Sequence, residues 1–340
     1  MRKLNTHIVL LAGFLACTLS ASASVGLQKL RCEMLTNPYG IGTTKPRLSW
    51  QINSDQRNTL QTAYQIIVAS SPEKLAAGQG DLWDSQKVAS DASIMVNYAG
   101  KALTSRVACY WKVRVWTNKG PSQWSEPAFW SEGLLNTTDW KAKWIGYDAG
   151  FPWDSVSKFS RLSARYFRKQ FNAPKTVKQA TVYIVGLGHY ELSINGKTIG
   201  DQVLAEAPTD YTQSVLYNTF DVTDKIKQGE NTIGTVLGNG RFFTMRPKYK
   251  PKKIKEFGFP KMLLQLEITY TDGSKQTIIS DNTWKFTADG PIRTNNEYDG
   301  EEYDATKELT GWNQNAYNDG KWLTPQLVES PVGKVVAQVN

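Results

Sequence analysis

Two loops in the middle of the chain carry side chains that could recognise a carbohydrate. Both combine aromatic rings with carboxylate, amide or guanidinium groups, and both lie next to stretches rich in β-strand formers. Carbohydrate recognition needs flat apolar faces against the C–H surfaces of a sugar, together with fixed donors and acceptors for its hydroxyl groups. The candidate sugar-binding residues are Asp210, Tyr211, Asn239, Arg241, Phe242 and Phe243.

Metal and nucleophile chemistry have little support in the sequence. Beyond the first 23 residues the chain retains two cysteines, Cys32 and Cys109, and one histidine, His189. This supply is too small for a zinc site built from nitrogen and sulfur ligands. A Ser-His-Asp set would depend on His189, which sits beside glycines in a strand-rich run, where a structural histidine is more common. We expect the two cysteines to be buried thiols, while export would also permit a disulfide between them.

The acidic run from Glu297 to Asp304 is a place where paired carboxylates could hydrolyse a glycosidic bond. That reaction needs two carboxyl groups roughly 5–10 Å apart across the bond, and sequence spacing does not establish such a distance. A hydrated acidic loop is far more common for a run of this kind. We therefore predict no catalytic residue, and we expect the run to face a sugar or another domain.

The elements that would position these loops are β-strands. Tyr190, Leu192 and Ile194 alternate with polar residues, and Asn195-Gly196 supplies the two positive-φ residues of a type I′ hairpin turn. Similar signals continue to about residue 325 and predict a galactose-binding-like jelly-roll over 165–325. Short alternating strands over 27–134 predict a β-sandwich that resembles fibronectin type III modules. The predicted class is therefore all-β, with few helix signals, near 72–77 and 222–227.

Several phrases follow one another in a characteristic order. They include Lys143-Trp-Ile-Gly146, Ala207-Pro-Thr-Asp-Tyr211 and Leu237-Gly-Asn-Gly240. In this order, over about residues 27–331, the chain resembles the N-terminal, non-catalytic region of bacterial α-L-rhamnosidases, glycoside hydrolase family 78. The resemblance implies that the catalytic carboxylates lie in a helical barrel further along, outside this chain. The sequence agrees, because it lacks the many amphipathic helices that such a barrel needs.

The resemblance also implies ligands. The whole protein would hydrolyse terminal α-L-rhamnose from polysaccharides or glycosides, and this part would recognise carbohydrate and support the barrel. Some members resemble a calcium-dependent rhamnose-binding module, carbohydrate-binding module family 67, and Asp210 is the residue we nominate for calcium. A carboxylate that accepts N–H bonds from its own loop is the alternative. The family commonly has an aromatic residue where this chain has Arg241, so Phe242 or Phe243 would have to supply the stacking face.

The first residues predict export. Met1-Arg2-Lys3, an apolar run and Ala21-Ser22-Ala23 have the form of a signal peptide with an A-x-A cleavage site. Removal of residues 1–23 takes away two positive charges, so the formal net charge falls from +9 to +7. The apolar run is too short for a transmembrane span, which predicts a periplasmic or secreted protein. A lipid-modified Cys17 in an outer-membrane lipoprotein is the less favoured alternative.

Three further segments complete the predicted organisation. Residues 135–164 are expected to form a linker, and residues 326–340 a connection to a downstream domain. The run from Arg246 to Lys255 holds six basic residues in ten, for which a solvated loop is the default. Nucleic acid could bind such a run, but an exported protein has little occasion to meet it. An acidic pectic polysaccharide, in which rhamnose accompanies galacturonate, is the predicted partner.

Two functions of different kinds stay open on the sequence. One is a carbohydrate-recognition region that performs no chemistry alone. The other is a structural or interaction module, without a sugar site of its own, that supports a barrel or another exported partner. Exposed loop aromatics with a metal requirement favour the first, whereas fully buried tryptophans and a large apolar patch favour the second.

Overall fold

The computed structural model describes residues 25–155, 161–243, 257–297 and 300–338. Over these ranges the chain is built from many short strands and one short α-helix, which confirms the predicted all-β class. No helix in the described ranges is long and apolar enough to cross a membrane. The predicted signal peptide with Cys17, and the basic run 246–255, lie outside the described residues.

The first module is an immunoglobulin-like β-sandwich. Strands β1, β2 and β5 form one sheet, and strands β4, β3, β6 and β7 form the other, in which β8 also pairs with β6. Its elements are β1 (Gly26–Cys32), β2 (Arg47–Asn53), β3 (Gln61–Ala69), α1 (Pro72–Ala76), β4 (Trp83–Asp84), β5 (Val96–Asn97), β6 (Ala108–Thr117), β7 (Gly120–Pro121) and β8 (Ala128–Ser131).

Alternation along the strands builds the core of this module. In β6, every second residue from Cys109 to Val115 is fully buried, as the period of two predicts. Three tryptophans, Trp50, Trp111 and Trp130, fill the space between the sheets. Burial of a large apolar side chain contributes roughly 1.5–3 kcal/mol, so these rings stabilise the sandwich and are not available to a ligand.

The two cysteines belong to the same core. Cys32 and Cys109 are both buried and both carry free thiols. Burial raises the pKa of each thiol far above its ordinary value. The prediction of buried thiols is confirmed, and at neutral pH both sulfurs are protonated and unreactive.

The second module is a larger sandwich of two sheets. One sheet has the strand order β13-β12-β15-β10-β18, and the other has the order β21-β9-β16-β11-β14-β22, with β17 also paired to β16. Its strands are β9 (Ile145–Gly146), β10 (Arg165–Ala173), β11 (Val177–Leu187), β12 (Tyr190–Ile194), β13 (Lys197–Ile199), β14 (Ser214–Asp221), β15 (Gly229–Leu237), β16 (Lys261–Tyr270), β17 (Lys275–Ile279), β18 (Lys285–Thr287), β19 (Ile292–Asn296), β20 (Gly300–Tyr303), β21 (Gln326–Leu327) and β22 (Lys334–Ala337).

Local signals account for the centre of this module. Asn195 and Gly196 adopt φ values of 52° and 78° between β12 and β13, which confirms the predicted hairpin turn. Leu192 and Ile194 point into the core between the sheets, beside Phe167, Trp284 and Phe286. The predicted helical pieces are α1 and a single 3₁₀ turn at Thr223–Lys225.

Two segments differ from the predicted organisation. Part of the expected linker 135–164 forms β9, which pairs with β16 and with β21. The expected connection 326–340 supplies β21 and β22, and β22 lies parallel to β14 at the edge of the sheet. Its Val335 and Ala337 pack against the cluster that contains Val215 and Tyr217. These strands have only two to four residues, too few for an alternating pattern to stand out in the sequence.

The two modules touch through specific bonds. The Tyr217 hydroxyl on β14 accepts a hydrogen bond from the Leu134 N–H (2.7 Å) and donates one to the Leu134 carbonyl (3.2 Å). The Tyr39 hydroxyl donates to Asp221 (2.9 Å), and Arg106 forms an ion pair with Glu267 on β16. Each bond joins a residue of the first sandwich to a strand of the second.

Candidate functional site

The candidate sugar-binding residues lie at one end of the second module, and the structure buries most of their rings. Tyr211 is 2% exposed and lies with its ring centroid 5.3 Å from that of Phe242 and 5.0 Å from that of Phe257. Phe243 is fully buried and its ring lies 5.2 Å from Phe259. The expectation of open aromatic faces in a loop is therefore wrong for these three rings, because neighbouring rings cover them.

Asp210 lies at the entrance to the same loop and is exposed. Its Oδ1 accepts hydrogen bonds from the Thr212 N–H (3.0 Å) and the Thr212 hydroxyl (2.6 Å). Its carbonyl accepts bonds from the N–H groups of Gln213 and Ser214. This is the loop-capping role that the sequence left open as the alternative to calcium binding.

The described residues around Asp210 provide few ligands for calcium. Calcium takes six to eight oxygen ligands. The described part of the chain contains no group of three or more Asp, Glu, His or Cys residues arranged to hold a metal ion. The Asp210 carboxylate already serves its own loop, so calcium binding there stays a prediction.

Asn239 is buried at the turn after β15. Its Nδ2 donates to the Leu162 carbonyl (2.7 Å), and its backbone N–H donates to Asn295 Oδ1 (2.7 Å). The turn lies against Gly188 so closely that a Cβ on Gly188 would come within 2.0 Å of the Gly238 carbonyl oxygen. Gly188 also has φ +129°, which side chains rarely adopt. The glycines of the two turns therefore permit the close contact that places Asn239.

Arg241 and Glu297 form the charged part of the site. Arg241 Nε lies 2.8 Å from Glu297 Oε2 and its Nη2 lies 3.1 Å from Oε1, so the pair is bidentate. His189 lies beside this pair. Burial lowers the pKa of His189, the Ala205 carbonyl and Glu297 raise it, and Arg241 lowers it. Burial has the largest effect, so the imidazole is neutral at pH 7 and can both donate and accept a hydrogen bond.

Glu206 is a buried carboxyl group that the sequence did not single out. It is fully buried, and burial raises its pKa well above the ordinary range, although the Gly186 N–H opposes the shift. No hydrogen bond of ordinary geometry reaches either carboxyl oxygen from the residues that the structure describes. Burial therefore favours the protonated acid, and this carboxyl group lies close to Tyr190 and Tyr211. Glu206 stands alone between two alanines, so the sequence gives no signal that its carboxyl group is buried.

Four residues of the acidic run from Glu297 to Asp304 form a β-strand. Residues 292–296 and 300–303 pair as the antiparallel strands β19 and β20, and residues 298–299 lie outside the described ranges. Glu302 forms an ion pair with Arg161, and Asp304 caps a 3₁₀ turn through the Thr306 N–H. The sequence predicts a hydrated acidic loop here, whereas residues 300–303 form the exposed strand β20.

Two β-sandwiches in succession form the architecture of the described residues. An immunoglobulin-like sandwich followed by a jelly-roll-like sandwich makes this an all-β protein of two modules. One family model, described as the Rha78A-like N-terminal immunoglobulin domain, matches residues 27–136. A second, the α-L-rhamnosidase N-terminal domain, matches residues 175–340. Together the two models show that the chain carries the N-terminal domains of the α-L-rhamnosidases of glycoside hydrolase family 78, their non-catalytic N-terminal region, which confirms the resemblance.

Individual relatives agree with this family. An α-L-rhamnosidase of Formosa agariphila is 40% identical over 296 residues, covering 86% of this chain and 32% of its own length. The structure of α-L-rhamnosidase from Dictyoglumus thermophilum is 40% identical with a TM-score of 0.83, covering 94% of this chain and 36% of that chain. The Streptomyces avermitilis α-L-rhamnosidase complexed with L-rhamnose shares the fold, at 24% identity and a TM-score of 0.82, over 93% of this chain and 46% of that one. The chain spans about a third of the length of the first curated relatives it matches.

Proposed function

We propose that this chain is the carbohydrate-recognising part of an exported α-L-rhamnosidase that hydrolyses terminal α-L-rhamnose. Its own contribution is to bind rhamnose-containing carbohydrate and to support the catalytic barrel. Family membership supports the class of enzyme. The relative from Streptomyces avermitilis was solved with L-rhamnose, which makes L-rhamnose the first ligand to test with this chain.

The observation that carries the proposal is a set of buried polar atoms, at one end of the second module, that have no hydrogen-bond partner among the described residues. Asn239 Oδ1, Asn295 Nδ2, His189 Nδ1 and the Tyr211 hydroxyl are all buried and accept or donate no hydrogen bond within the described ranges. An unpaired buried polar group costs about 1–3 kcal/mol. The hydroxyl groups of a sugar, or ordered water that a sugar displaces, would provide the missing partners. The half-exposed Arg241–Glu297 pair lies at the same end and could bind further hydroxyl groups.

Calorimetry with L-rhamnose, with and without calcium, tests this proposal. We expect binding by the 340-residue chain and a several-fold weaker affinity for the variant Arg241→Gln. The matched control is Arg161→Gln, because Arg161 is equally exposed and pairs with Glu302 on the same module. Loss of binding on calcium removal would support the nomination of Asp210. Absence of any heat with L-rhamnose or α-L-rhamnosides at millimolar concentration would overturn the recognition role.

The basic run 246–255 adds a prediction about the polysaccharide. A cluster of cations attracts an acidic chain, and added salt weakens this attraction. Binding to rhamnogalacturonan should therefore weaken as salt rises, and replacement of the lysines by glutamine should remove most of the salt dependence. Affinity that is unchanged by both treatments would exclude the acidic polysaccharide as the partner of this run.

A purely structural role is the second candidate, and the burial of the aromatic rings favours it. Trp50, Trp111, Trp130 and Trp284 are all fully buried, as are the rings of Phe242 and Phe243. If the chain only supports a barrel, neither L-rhamnose nor its oligosaccharides will bind, while the catalytic part will lose stability when this region is removed.

A further inference from the structure

A groove runs along the junction of the two modules. It consists of two cavities of about 510 and 500 Å³, which share Tyr39 and Asp221 as lining residues. A third cavity of about 170 Å³ shares Ile199, Gln202 and Phe220 with the first of these. The two larger cavities are each of the size that binds small ligands in proteins, roughly 300–1,000 Å³. We call the three together the inter-module groove.

Aromatic rings line one part of the inter-module groove. Tyr39, on the loop before β2, is 38% exposed and its ring lies 4.9 Å from Phe129. The Phe129 ring in turn lies 5.2 Å from Tyr110. The hydrogen bond from Tyr39 to Asp221 fixes the Tyr39 ring where the two larger cavities meet. Unlike the rings of the candidate site, Tyr39 keeps an accessible surface.

Hydrogen-bonding groups line the other part. The side chains of Asp201 and Gln202 are exposed, and among the described residues they form no hydrogen bond or ion pair. Next to Gln202 along the chain, Val203 and Leu204 are 87% and 68% exposed, so the rim of the groove also offers an apolar surface.

The groove carries three carboxylates and two lysines, because Glu191 lines the third cavity. Asp201 and Asp221 lie in the same lining as Lys225, and the neighbouring cavity adds Lys178. A lining with both signs of charge provides no field that would select an anionic polymer. Accessible aromatic and apolar surfaces beside unpaired carboxylate and amide groups are the combination that fits sugar rings and their hydroxyl groups.

We propose that the inter-module groove binds a neutral oligosaccharide of several units, at a place separate from the polar atoms around Asn239. Tyr39 and Phe220 provide apolar surface for the rings, while Asp201 and Gln202 bond the hydroxyl groups. Because the cavities adjoin one another, they have room for a chain of several sugar units rather than a single sugar. The proposal rests on the proposed carbohydrate-recognition function and adds where the units beyond the terminal sugar would lie.

The test compares L-rhamnose with neutral α-L-rhamnose-terminated di-, tri- and tetrasaccharides, by calorimetry on the 340-residue chain. The key variant is the double change Asp201→Ala with Gln202→Ala. The chain offers a matched control, because Asp55-Gln56 is the same dipeptide, exposed on the first module and outside the groove. Both double variants change exposed side chains, so both should fold, and a thermal melt checks this.

We expect tri- and tetrasaccharide binding to weaken about ten-fold in the groove variant, the loss that follows from removing two hydrogen bonds. The Asp55→Ala, Gln56→Ala control should bind like the unchanged chain, and affinity for L-rhamnose itself should be the same in all three proteins. Oligosaccharide affinity that is equal in both variants, or that does not exceed that of L-rhamnose, overturns the groove proposal alone. Absence of binding by any rhamnoside overturns the proposed function together with it.

Discussion

Arg106 of the first module and Glu267 on β16 of the second form a two-point ion pair across the junction. Arg106 Nε lies 2.7 Å from Glu267 Oε2, and its Nη2 lies 2.8 Å from Oε1. The same guanidinium bonds the side chain and the carbonyl of Asp139, which lies between the modules. One side chain therefore joins the first sandwich, the connecting segment and the second sandwich.

Replacement of Arg106 by alanine should weaken this junction. The side chains of Arg106 and Glu267 are partly exposed, which limits the energy of the pair, but four bonds are lost at once. We expect the free energy of unfolding to fall by about 1–2 kcal/mol, measured by urea denaturation, with faster proteolysis between the modules. Arg47→Ala is the control, because Arg47 makes a similar bidentate pair with Glu33 inside the first module, through Nε to Oε1 and Nη2 to Oε2. Equal proteolysis of the two variants would contradict a role at the junction.

Glu132 should give the stability of the protein an unusual pH dependence. It is buried, one oxygen accepts a bond from the Trp130 indole N–H (3.2 Å), and the other has no partner in the described residues. Burial raises its pKa from an ordinary 4.5 to about 8, the indole opposes this, and Glu33 adds to it. The folded state thus holds a proton that the unfolded state releases. This contribution to stability is fully present below pH 4.5 and is lost as the pH rises through 8.

Urea denaturation between pH 5 and 8 checks this expectation. The stability of the unchanged protein relative to Glu132→Gln should fall with rising pH, by up to about 1.4 kcal/mol per pH unit. The glutamine keeps an oxygen for the Trp130 indole but cannot ionise. Parallel stability curves for the two proteins would show that Glu132 titrates at its ordinary value.

Substitutions of Tyr211 and Phe242 should distinguish effects on stability from effects on ligand binding at the candidate site. The Tyr211 hydroxyl is buried without a partner among the described residues, so Tyr211→Phe should leave stability unchanged or raise it by up to about 1–3 kcal/mol. Phe242→Ala removes a buried ring and should cost about 3–5 kcal/mol. If the hydroxyl bonds a sugar, Tyr211→Phe will weaken L-rhamnose binding without loss of stability. A large loss of stability in Tyr211→Phe would reveal an internal partner for the hydroxyl.

Gly188 should be intolerant of a side chain. A Cβ there would meet the Gly238 carbonyl at 2.0 Å, in addition to the strain of its positive φ. Gly273 is the matched control, because its φ is +84° and nothing lies within 4 Å of its Cβ position. Gly273→Ala should cost about 1–2 kcal/mol from backbone strain alone, and Gly188→Ala should cost clearly more. Similar melting temperatures for the two variants would mean that the turn at Asn239 can move.

The sequence patterns predicted those parts of the fold that depend on residues close to one another in the chain. The Asn195-Gly196 turn follows from two residues that tolerate positive φ, and β6 and β12 follow from apolar residues that alternate with polar ones. Short strands such as β9 and β22 escaped prediction, because they exist only by pairing with strands far away in the sequence.

The sequence by itself determined the all-β class, the central hairpin turn, the buried cysteines and the family. These properties depend on the types of the residues and on their neighbours in the sequence, which do not change when the chain folds. Only the tertiary structure decided that Tyr211, Phe242 and Phe243 are covered, that Glu132 and Glu206 are buried, and that a groove lined by Tyr39 and Asp221 lies at the junction of the modules. Burial depends on which distant segments pack over a side chain, and that packing is a property of the whole fold.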